Sequence, residues 1–142
     1  MGRFFWYPDG TRNPWQSWHD RQSKAVRARH DVVIRFLEAG HWNEPYAKQL
    51  VGYDGLVEII ITKGVAHRLL GFYGLDQGDF TVVIACAHKG DNYYPKDAKD
   101  TAKARKILVE EGKERAVYCP QPRPKRENKE LLATVGKRKN KT

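Results

Sequence analysis

Between residues 55 and 89 the chain carries three strand-like runs in quick succession: GLVEIIITK (55–63), AHRLLGFYG (66–74) and DFTVVIACAHK (79–89). The links between them, Lys63-Gly64-Val65 and Leu75-Asp76-Gln77-Gly78, are short enough for hairpins, so the runs predict an antiparallel meander. The third run is apolar on both faces, the mark of a central strand with a layer on each side. Upstream, RFFWY (3–7) predicts a short first strand ended by the turn Pro8-Asp9-Gly10.

Helical periodicity fills the space between. Asn13 is a capping residue, Pro14 suits the first helical position, and Gln16 stands where a capping box places its partner. From Trp15 through Trp18, Gln22, Ala25/Val26, Arg29, Val33 and Phe36/Leu37 the steps are three and four residues. They predict one long amphipathic helix up to Gly40, or two broken near its middle. NEPYAKQLVG (43–52) reads as a further short helix turn. KDAKDTAKARKILVEEG (96–112) reads as a helix stopped by Gly112, with Ala98, Ala102, Leu108 and Val109 on its buried face. The predicted fold is α+β: a small antiparallel sheet, formed by the N-terminal strand and the three-stranded meander, packed against N-terminal helices and one C-terminal helix. One domain is expected over residues 1–118. Residues 119–142 are expected to be a basic, Pro-rich tail, extended or disordered, with a short helix turn near Leu131.

Composition narrows the class. The chain has 142 residues, 40% of them apolar, which suits a single core. No run is long enough for a membrane span, and the N-terminus lacks the layout of a secretory signal, so a soluble cytoplasmic protein with no membrane partner is expected. Cys86 and Cys119 have neither disulfide nor zinc spacing, and no structural metal or cofactor is expected. The net charge of +9 is concentrated at one end: residues 113–142 hold 10 Lys/Arg against 3 Asp/Glu. Specific chemistry must therefore be sought in a nearly neutral body.

Hairpin pairing brings Lys63, His67, Arg68, His88 and Lys89 to one end of the sheet. Strand alternation points His67 and Arg68 to opposite sides. Two groups that titrate near neutrality, beside fixed cations, are what phosphodiester cleavage through a 2′-hydroxyl requires: one removes the proton, one returns a proton to the leaving oxygen, and Arg or Lys stabilises the phosphorane charge. Tyr93 and Tyr94 offer faces for unpaired bases, and Lys96, Lys99, Lys103 and Lys106 form a stripe at helical spacing. The competing reading is structural: Arg68 as the ion-pair partner of a residue such as Glu58, and the tyrosines as anchors for the last helix.

The motifs Gly55-Leu56-Val57-Glu58, Arg68-Leu69-Leu70-Gly71-Phe72, His88-Lys89, and Pro95 with Ala98, Ala102 and Arg105 together resemble the RelE/HigB-type toxins of toxin–antitoxin systems, in their phage-associated branch. The resemblance covers about residues 50 to 112. It implies a RelE-like fold and a small endoribonuclease that cuts mRNA on the ribosome without a metal, held inactive by an antitoxin that is commonly a helix-turn-helix protein. By that match Arg68 contacts the scissile phosphate and Lys89 is the basic residue ending the last strand, with His88 and Tyr93 or Tyr94 nearby. Where some relatives carry two lysines, this chain has Ile59, Ile60 and Ile61, leaving Lys63 as the substitute and His67 or His88 as the proton-transfer group. Two other readings stay open: a ParE-like toxin that binds DNA gyrase, and a non-catalytic nucleic-acid-binding phage accessory protein.

Overall fold

The computed structural model describes residues 3–63, 65–74 and 78–120; of Lys63 and Val65 it describes the backbone. The order of elements is β1 (Phe4–Trp6), α1 (Pro14–Asp20), α2 (Lys24–Glu38), β2 (Ala47–Gln49), β3 (Val57–Lys63), β4 (Val65–Tyr73), β5 (Phe80–Lys89), β6 (Asn92–Tyr94), α3 (Ala98–Glu110) and β7 (Val117–Tyr118). The fold is α+β. Among the described residues no helix is long and apolar enough to cross a membrane.

The expected meander forms with β3 against β4 and β4 against β5, both antiparallel. Around it the sheet is larger and more mixed than predicted. Its order is β2-β3-β4-β5-β1-β7, with β6 also on β5. β1 runs parallel to β5, Phe4 opposite Phe80 and Trp6 opposite Val82. The segment expected as a helix turn at 43–52 instead supplies an edge strand, Ala47 opposite Ile59 and Gln49 opposite Val57. Ala47 is fully buried, so one apolar side chain facing the core is enough to draw a polar segment onto the sheet edge.

The N-terminal helical stretch is two helices. Asn13 caps α1 by accepting the Gln16 N–H at 3.0 Å, and Ser23 caps α2 by accepting the Val26 N–H at 3.2 Å, so the break falls where a second capping residue is available. The Gln16 amide donates to Asp20 rather than back to Asn13, leaving the predicted capping box half made.

Two cores sandwich the sheet, as the doubly apolar β5 requires. One lies under α1 and α2 and contains Phe4, Trp6, Trp15, Trp18, Ile59, Ile61, Leu69, Phe80 and Val82. The other lies under α3 and contains Leu56, Leu70, Phe72, Val83, Cys86, Ala98 and Ala102. The register of β4 on β5 slips between Leu70 and Gly71, because Leu70 faces Ile84 while Gly71 faces Val82. Val83 is the extra residue, and its carbonyl accepts Arg105 Nη1–H from α3 at 2.7 Å. Chain order persists beyond residue 118. Cys119 is fully buried in the first core and its N–H donates to the Phe4 carbonyl at 3.0 Å; the rest of the expected tail, with Leu131, lies outside the described residues.

Candidate functional site

Alternation along β4, β5 and β6 divides the predicted residues between the two faces. Ala66 pairs with His88, Arg68 with Cys86, and His88 with Tyr93, so Arg68, His88 and Tyr93 share the α3 face. His67 lies on the α1/α2 face, with its ring 6.3 Å from that of Trp18. Lys89 and Tyr94 alternate with His88 and Tyr93 and are exposed. The side chain of Lys63 lies outside the described set. Of the expected cluster, His88 shares the Arg68 face and His67 lies on the other, as strand alternation implied.

On the α3 face the polar groups are tightly connected. Arg68 Nε–H donates to Glu58 Oε1 at 3.0 Å, and Arg68 Nη1–H donates to the His67 carbonyl at 3.1 Å. The Tyr93 hydroxyl donates to Glu58 Oε2, so one carboxylate holds both an arginine and a tyrosine. The His88 and Tyr93 rings meet edge to face at 4.8 Å. Burial pushes the Tyr93 hydroxyl above its usual pKa, and the Glu58 hydrogen bond adds to it. Burial first, and then the Arg68 charge, hold His88 below the ordinary imidazole value, so near pH 7 its ring is neutral and able to accept a proton.

Cations frame this group unevenly. Lys99 lies over two aromatic faces, 5.3 Å from the Tyr93 ring centre and 5.1 Å from that of Tyr53. Lys106 is paired with Glu110 at 3.2 Å and rests over Phe72, whereas Lys96 and Lys103 are exposed. Lys48 sits opposite Glu58 across β2 and β3 and contributes to the positive field at His88. Lys48 was hidden by the misread edge strand. Tyr53 lies in a loop whose packing against α3 has no local signature.

A second cluster, absent from the sequence reading, lies under α1 and α2. Trp15 Nε1–H donates to His30 Nε2 at 3.2 Å; Asp31 Oδ1 lies 2.9 Å from His30 Nδ1 and 3.1 Å from His19 Nε2. His30 is 1% exposed. Since Trp15 can only donate, His30 Nε2 must accept and Nδ1 must carry the hydrogen that reaches Asp31. His19, His30 and Asp31 are the described residues closest to a metal-ligand set. Binding a metal through Nδ1 would move the hydrogen to Nε2, against the Trp15 N–H, so these residues fit a hydrogen-bonded relay better than a metal centre. The sequence signal was there: His30 occupies the apolar stripe of α2 between Val26 and Val33.

No protein-family model, no curated protein and no solved structure matches the chain.

Proposed function

We propose that this protein is a metal-independent endoribonuclease of the RelE/HigB toxin kind, with a RelE-like fold, that cleaves mRNA on the ribosome and is held in check by a helix-turn-helix antitoxin. The observation that carries this reading is the convergence of Arg68, His88 and Tyr93 on one face at the end of the sheet, with Lys99 beside them. In the proposed reaction neutral His88 takes the proton from a 2′-hydroxyl as that oxygen attacks the adjacent phosphorus. The same imidazolium then returns a proton to the departing 5′-oxygen, leaving a 2′,3′-cyclic phosphate and a 5′-hydroxyl. Arg68 stabilises the charge that builds on the phosphorane, and Glu58 positions Arg68 and Tyr93. Exposed Tyr94 stacks on a base, and Lys89, Lys96, Lys99 and Lys103 follow the phosphate backbone. His67, on the other face, takes no part in proton transfer.

The test is expression without an antitoxin in a bacterial host, with mapping of mRNA 5′ ends. Growth arrest with new 5′-hydroxyl ends is expected, and Arg68→Lys, which keeps a cation beside Glu58 but loses the planar fork, and His88→Ala are expected to relieve it while retaining the circular dichroism of the parent. Arrest that persists undiminished in both variants removes the proposed site. One observation favours a second reading: the Glu58–Arg68–Tyr93 network is already satisfied within the protein. A protein that binds nucleic acid without cutting it would need no free arginine there. Its sign is a steep salt dependence of RNA or DNA binding with the nucleic acid left intact.

A further inference from the structure

We propose that the notch where the sheet lacks a strand, between the end of β1 and the end of β6, binds a phosphate group through Arg105 and Arg21. β4 covers one side of β5, opposite Phe80 at one end and His88 at the other. On the other side β1 reaches only to Val82, whose carbonyl accepts the Tyr7 N–H at 2.8 Å, and β6 begins at Ala87. Among the described residues no strand pairs with residues 83–86 on that side. The opening has a volume of 230 Å³, with Ile84 and Ala85 in its lining. That is below the roughly 300–1,000 Å³ of small-molecule sites, so it suits one small ionic group and its waters rather than a whole organic ligand.

Arg105 is the feature that calls for an anion. It projects from α3, is half-buried, and is fixed twice: Nη1–H donates to the Val83 carbonyl at 2.7 Å, and the guanidinium lies 4.6 Å from the centre of the Tyr7 ring. Arg3, Arg35 and Arg68 each hold a carboxylate, but among the described residues none pairs with Arg105. A half-buried cation without a counter-ion, already oriented and with N–H groups to spare, is a preorganised oxyanion donor. Arg21, exposed at the C-terminal end of α1, lines the opening from the opposite face of the sheet. The described lining holds one carboxylate, the exposed Asp9, which accepts the Thr11 N–H at 2.8 Å; two guanidinium groups therefore stand against one acid. A planar carboxylate is filled by one arginine fork, whereas donors converging from two walls match the tetrahedrally spread oxygens of a phosphate. Ala85 stands three residues from His88, roughly 10 Å along β5, about the span of three stacked nucleotides. The notch is thus placed to take either the free ion or a backbone phosphate of a strand at the candidate site, and its anion chemistry does not depend on the nuclease reading.

The experiment titrates the purified full chain with inorganic phosphate and, in parallel, with a single-stranded oligodeoxyribonucleotide, which has no 2′-hydroxyl and so survives the proposed cleavage route. Ionic strength is held constant with chloride, and backbone amide shifts are followed. Saturable shifts at Arg21, Ile84 and Ala85 are expected with at least one of the two. Tighter binding of inorganic phosphate assigns the notch to the free ion, and tighter binding of the oligomer at the same amides assigns it to a backbone phosphate within a strand. Arg21→Ala, at an exposed position, and Arg105→Lys, which keeps the charge but loses the fork, are each expected to weaken binding at these amides roughly tenfold. Absence of saturable shifts there up to about 20 mM phosphate and about 1 mM oligomer, shifts confined to Lys96 and Lys103, or parental affinity in both variants overturns the proposal.

Discussion

Glu58 and Arg68 meet on the α3 face of the sheet with Nε–H donating to Oε1 at 3.0 Å, their side chains 2% and 13% exposed. The pair joins β3 to β4, and Tyr93 extends it to β6 through the other carboxylate oxygen. Removing one partner of an enclosed ion pair leaves an uncompensated charge and is far costlier than losing a surface bridge. Glu58→Gln is therefore expected to cost about 3 kcal/mol in urea unfolding, and Glu58→Gln with Arg68→Met to recover much of it. A single-variant cost below about 1 kcal/mol would place the pair with exposed bridges instead.

Acid should weaken the fold before any carboxylate protonates. Burial holds His30 below its ordinary value of 6.5, with the Asp31 hydrogen bond opposing that shift only in part. The unfolded chain accepts a proton on this ring near 6.5 while the folded protein resists it. The sign is therefore fixed: stability is retained above that pH and declines as the pH falls below it. His67 and His88 are also lowered, chiefly by burial, and add in the same direction. Asp31, lowered as well, joins only below its ordinary 3.8. Thermal midpoints measured from about pH 7.5 to about pH 5 should fall steadily, and Trp15→Phe, which removes the N–H that opposes a second ring proton, should make the decline shallower. A flat profile across that range would mean that His30 does protonate within the fold.

The meander and its hairpins were legible because β3, β4 and β5 are local, strongly apolar and joined by short turns. α3 was legible within two residues at each end. The parallel pairing of β1 with β5 was not, since Phe4 and Phe80 are brought together by the intervening helices and meander rather than by a turn. β2 was lost because only three residues pair and two of them are polar. At the candidate site, the opposition of His67 to Arg68 followed from strand alternation. The link from Glu58 to Tyr93, 35 residues apart, depends on a register that no local pattern encodes.

Gly71 is a packing requirement rather than a turn. A Cβ there would overlap the Thr81 carbonyl oxygen and lie 2.6 Å from the Phe80 ring, at the point where the bulge brings β5 against β4. Neither neighbour can retreat without disturbing the sheet. Gly71→Ala is expected to cost about 3 kcal/mol or more in denaturant unfolding. Gly74→Ala, whose Cβ would stand 3.1 Å from the Asp79 Cβ at the edge of the sheet, is expected to cost clearly less. Equal costs would remove the special role of the bulge.

Cys86 marks the deep end of the face that carries Arg68. It is 6% exposed, and its thiol donates to the Arg68 carbonyl at 3.5 Å. Burial, reinforced by the nearby Glu58 carboxylate, pushes its pKa from 9.0 up to about 12. The thiolate is the reactive form, so at mildly alkaline pH the reactive fraction is lower by about a thousandfold than for an ordinary cysteine. Cys119 is fully buried and also raised, again chiefly by burial. Iodoacetamide at about pH 8 is therefore expected to leave both cysteines unmodified in the native protein and to label both in denaturant, with intact mass as the readout. Because access to Cys86 requires the β4–β5 pairing or α3 to open, native-state labelling in Glu58→Gln but not in the parent would tie the Glu58–Arg68 pair directly to the closure of this face.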